Sequence, residues 1–234
     1  MYKILHDLKE KIMEKGGFVN AHCHLDRAGT VQYFSKEQQY KFLKEKWKLV
    51  DNIKRTSSYL MYKTRIDHAI TDQKNKGTSI ICSFIDIDDV VSSKAIMAAK
   101  EIAEERTDVV FYKACQTLKG VLDPTQDLLL RNSLAYVDIL GSLPGADKGR
   151  EAEHIDKIMN WAKKYEKRVH VHVDQLNTPD EKETELLARK TIEHGLEGRV
   201  TAVHSISLAA HPKQYRKEVY KMSKDAGLSF ITCP

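Results

Sequence analysis

Two histidines one residue apart, His22 and His24, close a short apolar run in "GGFVNAHCHLDRAGT". On a β-strand, side chains alternate between faces, so both imidazoles project to one side and Cys23 to the other. Two imidazoles on one face can offer two nitrogens to one metal ion. The same pattern also suits two ordinary surface or core histidines, and the rest of the chain must decide. In "RVHVHVDQ", His170, His172 and Asp174 share one strand face, while Val169, Val171 and Val173 take the other. "RVTAVHS" ends on His204 by the same logic. On parallel strands, His22, His24, His172 and His204 reach one end from three different strands, with His170 a layer deeper. That convergence favours a metal site. His6, His68, His154, His194 and His211 fall in helical or terminal segments, where solvated or helix-end side chains are expected.

The elements that must position these residues follow an alternating order. Seven β-branched runs read as buried strands: "GFVNAH", "TSIICSFI", "DVVFYKA", "YVDILGS", "RVHVHV", "RVTAVH" and "LSFIT". Helical spacing lies between them. Phe42, Leu49 and Ile53 form one stripe beside Leu43, Trp47 and Val50; Ile96, Ala99 and Ala103 mark another helix; Ile155, Ile158, Ala162 and Tyr165 mark a third. After "RVHVHV", Thr178 is expected to cap a helix with Pro179 as its first residue, Glu181 completing a capping box and Gly195 closing the end. The alternation predicts an α/β protein built as a (β/α)8 TIM-type barrel, with seven of eight strands, in one domain over residues 1–234. No glycine-rich phosphate loop follows the first strand, as a doubly wound nucleotide fold would require.

Hydrophobic residues make up 41% and charged residues 30% of the 234, the proportions of a globular protein. The net charge of +5 comes from lysines interleaved with glutamates, as on solvated helix faces, so neither nucleic acid nor a membrane is expected as a partner. No apolar stretch is long enough to span a bilayer and no leader pattern is seen, which predicts a cytoplasmic location. The four cysteines, Cys23, Cys82, Cys115 and Cys233, show no paired spacing, in keeping with a reducing compartment.

"NAHCHLDRAGT", "HVHVDQLN", "TAVHS" and the final "CP" together resemble the cytosine deaminase-like branch of the amidohydrolase superfamily, along almost the whole chain. The resemblance implies one divalent ion, zinc or iron, held by His22, His24 and His172, with His204 orienting water or substrate. The family's remaining ligand, an aspartate on the eighth strand, has no counterpart in the seven runs. Its dinuclear members end the fourth strand on a carboxylated lysine, which "AYVDILGSLPG" lacks. Lys113, on the third strand, is read as structural or substrate-facing. Where cytosine deaminases carry a glutamate three residues after the fifth-strand histidine, this chain has Gln175, an amide that hydrogen-bonds but transfers no proton. The family's substrate-reading glutamine aligns with Leu118, leaving Gln116 as a nearby substitute.

The resulting expectation is metal-dependent hydrolysis of a C–N bond in a small, cyclic, nitrogen-rich substrate other than cytosine. His204 would stabilise developing charge, Asp174 or Gln175 would position the substrate, and Asp26 and Arg27 would line the pocket or form a structural ion pair. The competing expectation is a non-catalytic metal-binding fragment or pseudoenzyme. Without an eighth strand and a β-sandwich, the chain reads as part of a longer enzyme. Exposed outer strands then predict a homo-oligomer.

Overall fold

The computed structural model describes residues 2–40 and 43–233. Phe42 and Pro234, with the side chains of Leu43 and Trp47, lie outside the described residues. Elements follow in the order α1 (Tyr2–Glu14), β1 (Phe18–Cys23), α2 (Lys36–Gln39), α3 (Leu43–Thr56), α4 (Tyr59–Asn75), β2 (Thr78–Asp86), α5 (Lys94–Glu105) and β3 (Val110–Gln116). Then come α6 (Pro124–Ser133), β4 (Ile139–Ser142), α7 (Glu151–Lys164), β5 (Arg168–Val173), α8 (Glu183–Glu193), β6 (Val200–His204), α9 (Lys213–Asp225) and β7 (Ser229–Ile231). The strands form one sheet in sequence order. This is the strand–helix alternation of a (β/α)8 barrel, with seven strands among the described residues. No described helix is long and apolar enough to cross a membrane. By internal contacts the chain divides into two compact units, residues 1–113 with 133–136 and residues 114–132 with 137–234.

In the first unit, Tyr62, Ile66 and Ile70 recur every four residues along α4 and are buried against β2 and α5. Ala95, Ile96, Ala98, Ala99 and Ile102 give α5 its own buried face. Each buried isoleucine of this kind contributes about 1.5–3 kcal/mol. β1 pairs in parallel with β2, but the register shifts between Asn20 and Cys23, the interval that holds His22. Such an irregularity re-aims side chains locally, so strict alternation does not hold at the end of β1.

In the second unit, β4, β5, β6 and β7 pair in parallel without register shifts. Val169, Val171 and Val173 are all buried under the helices, as the strand period predicts. Ile155, Ile158, Met159 and Ala162 bury one face of α7, whereas Tyr165 lies past its last turn and is exposed. The helix after β5 departs from expectation. It starts at Glu183, and Thr178–Asp180 form a tight turn in which the Asp180 amide donates to Thr178 Oγ1. Glu181 is drawn away from any capping box, because its carboxylate accepts from the Leu176 amide and the Ser207 hydroxyl. Gly195 ends α8 with φ +61°, as expected.

Candidate metal centre

The end of β1 brings its two histidines together. The His22 and His24 ring centroids are 5.0 Å apart and perpendicular, and both rings pack on Phe84 of β2. The turn after β1 is pinned by three hydrogen bonds. The Leu25 amide donates to Ser83 Oγ at 2.9 Å, Thr30 Oγ1 donates to the Arg27 carbonyl, and Arg65 donates to the Asp26 carbonyl at 2.7 Å. Cys23 turns away, and its thiol donates to the Cys82 carbonyl. Burial pushes that thiol up to about 12, so it stays a neutral apolar group.

Beside the pair lies a buried ionic layer that sequence reasoning missed. Lys54, fully buried on α3, sits 2.9 Å from Asp86 Oδ2 and 2.5 Å from Asp88 Oδ2. Although burial opposes its charge, those carboxylates hold Lys54 above the ordinary lysine range. Asp26 is wholly buried and accepts from the Asp86 amide at 3.0 Å. Burial, then the Asp86 charge, pushes Asp26 up to about 7. Arg27 faces Asp86 at 3.6 Å and Asp26 at 3.9 Å, the distances of a structural ion pair. Arg27 Nη2 also donates to His24 Nδ1 at 2.5 Å. A neutral His24 held this way carries its proton on Nε2 and must change tautomer before that nitrogen can bind a metal.

The ends of β5 and β6 form the second histidine pair, His172 and His204, with ring centroids 5.3 Å apart. His172 is buried, and its Nδ1 donates to the Ser142 carbonyl at 3.4 Å, leaving Nε2 with the lone pair. Burial lowers the pKa of His204, which favours a neutral ring. Burial, with a smaller contribution from Arg168, brings His170 down to about 4. The backbone here is strained: Asp174, Asn177, His204 and Ser205 all adopt positive φ, at +53°, +55°, +78° and +52°. Non-glycine residues in this region are uncommon, and clusters of them mark sites held by their surroundings.

The surroundings in this case are Asp174. Its two carboxylate oxygens accept from the Glu183 and Thr184 amides at 2.8 and 3.1 Å, so it caps α8 in place of Thr178. Its own amide donates to the Glu183 carboxylate at 3.1 Å, and its carbonyl accepts from the Ile206 amide at 3.0 Å. Asp174 therefore ties the end of β5 to the start of α8 and to the turn after β6. Gln175 lies half-buried next to it. Gln116, at the end of β3, is buried with an Oε1 that has no hydrogen-bond partner among the described residues. His154 and His211, expected to be solvated or at helix ends, are buried. His154 bonds to Ser142 and Asp147, and His211 donates to the Glu181 carbonyl and stacks on Tyr215.

No protein-family model matches the chain. A Haemophilus influenzae protein of undescribed function is 41% identical over 97% of this chain and 84% of its own length. The N-isopropylammelide isopropyl amidohydrolase of Pseudomonas sp. strain ADP is 29% identical over 99% of this chain. Among solved structures, 5-methylcytosine deaminase from Klebsiella pneumoniae with phosphonocytosine superposes with a TM-score of 0.85 at 22% identity, covering 93% of this chain. The chain has the amidohydrolase-superfamily fold. N-isopropylammelide isopropylaminohydrolase from Burkholderia multivorans shares it with a TM-score of 0.66 at 19% identity over 92% of this chain. An Arthrobacter aurescens atrazine chlorohydrolase mutant complexed with zinc and atraton shares it with a TM-score of 0.61 at 16% identity, also over 92% of this chain. The chain spans 60% of the Pseudomonas enzyme and 54%, 55% and 52% of the three solved chains.

Proposed function

We propose that the chain supplies the metal-binding barrel of an amidohydrolase that hydrolyses a C–N bond in a small, cyclic, nitrogen-rich molecule. The observation that carries this reading is the placing of two contacting imidazole pairs at the carboxyl ends of β1, β5 and β6. Carboxyl ends of barrel strands are where such folds do their chemistry. The donor set suits a divalent transition ion such as zinc or iron, since all its members are imidazole nitrogens. The candidate donors are His22 and His24 in the first unit, the latter once Arg27 releases it, and His172 and His204 in the second.

A bound ion of this kind polarises the scissile centre and makes water a better nucleophile near neutral pH. The chain's residues do the rest. His204, kept neutral by burial, can exchange hydrogen bonds with the reacting oxygen. The unpartnered Gln116 Oε1 offers an acceptor to a substrate N–H, and Gln175 can add a further hydrogen bond but no proton transfer. Asp174 holds the strand ends in place. The names of the relatives, which include an N-isopropylammelide amidohydrolase and a 5-methylcytosine deaminase, point to triazine- and pyrimidine-like rings as the substrate class. As part of the same proposal, the outer strands β1 and β7, which expose Phe18, Val19 and Phe230, associate with a second copy.

His22→Ala and His172→Ala test the metal reading: each should sharply lower bound metal in elemental analysis, and wild-type metal content in both would refute it. Wild-type protein with metal retained is then screened against aminotriazines, aminopyrimidines and cyclic amides. Chelator-sensitive turnover supports the enzyme. Full metal without turnover across the panel supports a non-catalytic metal-binding chain instead. Light scattering tests the association, which a stable monomer would contradict.

A further inference from the structure

We propose that Asp147 and His154 form a buried positioning pair that fixes the His172 ring for metal binding, a role resting on the reading of His172 as a ligand. The four residues form a directed chain. His154 Nδ1 donates to Asp147 Oδ2 at 2.6 Å, and Ser142 Oγ donates to His154 Nε2 at 2.8 Å. The Ser142 carbonyl then accepts from His172 Nδ1 at 3.4 Å. Ser142 and His154 are wholly buried and His172 nearly so.

Each link has one direction. Although burial opposes its charge, hydrogen bonds from His154 and the Val121 amide hold Asp147 below the usual carboxylate range, so it only accepts. Burial keeps His154 neutral, and its Nδ1 proton on Asp147 leaves Nε2 to receive the Ser142 hydroxyl. Ser142 ends β4 in register with Val171, so anchoring its side chain anchors the carbonyl that meets the neighbouring His172. With the Nδ1 proton held there, Nε2 is the nitrogen that carries the lone pair a metal needs. Asp147 is itself locked, because it covers Gly120, where a Cβ would fall 2.5 Å from a carboxylate oxygen at φ +80°.

Acid, imidazole and hydroxyl in this order have the connectivity of a nucleophilic triad. Ser142 has no exposed surface to meet a substrate, however, so the chain's output is orientation rather than attack.

His154→Phe removes both polar links at similar volume. Three measurements on it decide: divalent-metal affinity by chelator competition, the His172 ¹⁵N tautomer signature by NMR without metal, and the metal-free unfolding midpoint. The expected result is metal affinity weaker by about 10–100-fold, as for lost partners of ligating histidines, together with loss of the single Nδ1–H tautomer. Ile158→Val, buried on the same helix, should lower the midpoint while leaving affinity and tautomer unchanged. Wild-type affinity and tautomer in His154→Phe would overturn the proposal. Should that variant fail to fold, Ser142→Ala removes the same anchor with one atom, and the same two readouts decide. If His172→Ala retains its metal, the metal reading itself has failed. If it loses metal while His154→Phe does not, only the positioning pair has.

Discussion

Asp174→Asn separates a capping role from a proton-transfer role. Asp174 lies at φ +53°, and asparagine tolerates that region better than other non-glycine residues, so the backbone adds little cost. The side chain loses one of two acceptors. Oδ1 can still serve one of the amides now held at 2.8 and 3.1 Å, but the new Nδ2 faces the other, donor against donor. A hydrogen bond to a charged group contributes about 1.5–3 kcal/mol, and a stranded buried donor costs about 1–3 kcal/mol. Against this, burial raises the Asp174 pKa, so removing the charge recovers part of the loss. A net loss of about 2–3 kcal/mol follows, or a melting point lower by about 4–12 °C for a chain of this size. Circular-dichroism melts with excess chelator measure it without interference from metal. A variant melting within about 1 °C of wild type but inactive on a substrate would refute the cap and restore Asp174 as a catalytic residue.

Lys54→Met should leave the Asp86 and Asp88 carboxylates buried without their cation, at a cost of about 3–5 kcal/mol; an unchanged urea midpoint would contradict the ionic layer. Gln116→Leu should keep or raise stability by up to about 1 kcal/mol, because it removes an unpartnered buried acceptor, while raising KM for whatever substrate is found; a clearly lower urea midpoint would mean that Oε1 has a structural partner. Burial pushes Glu183 up to about 7, so between its ordinary pKa and that value the native state keeps a proton the unfolded chain has lost. This contribution is full at low pH and lost as pH rises towards 7, by about 1.4 kcal/mol per unit at most, and a stability difference between wild type and Glu183→Gln that stays constant from about pH 4.5 to 7.5 would rule it out. His170 acts with the opposite sign: held at about 4, it destabilises the fold as pH falls below the ordinary histidine range, and His170→Asn should flatten that limb of the urea-midpoint profile.

Features that depend on neighbours in sequence were legible. All seven strands lie where β-branched runs predicted them, because branched side chains fit the pleated, partly buried surface of a strand. The pairing of His22 with His24 followed from their spacing, although the register shift in β1 replaces simple alternation as the way their rings are aimed. The N-terminus of α8 was misread for a definite reason. Thr178, Pro179 and Glu181 carry the local chemistry of a helix start, but Ser207, 26 positions beyond Glu181, takes that carboxylate, and Asp174 caps α8 instead. A local signal lost to a distant competitor that the spacing does not reveal.

The misread polar residues share that cause. Lys54 stands among the charges of an amphipathic helix, with nothing in its neighbours to mark it, yet it is buried because Asp86 and Asp88 of a later segment meet it. His154 looked like a helix-surface histidine and is buried because β4 delivers Ser142 and the next turn delivers Asp147. A buried ionisable group is tolerable only when its partners are present together, and those partners sit on other elements. Apolar periodicity therefore predicts where the elements lie, while the polar interior is defined only once they have packed. The candidate centre draws on both. The strand ends bring its histidines into pairs, Ser142 and Arg27 direct the protons on the His172 and His24 rings, and Asp174 holds the end of β5 and the start of α8 together.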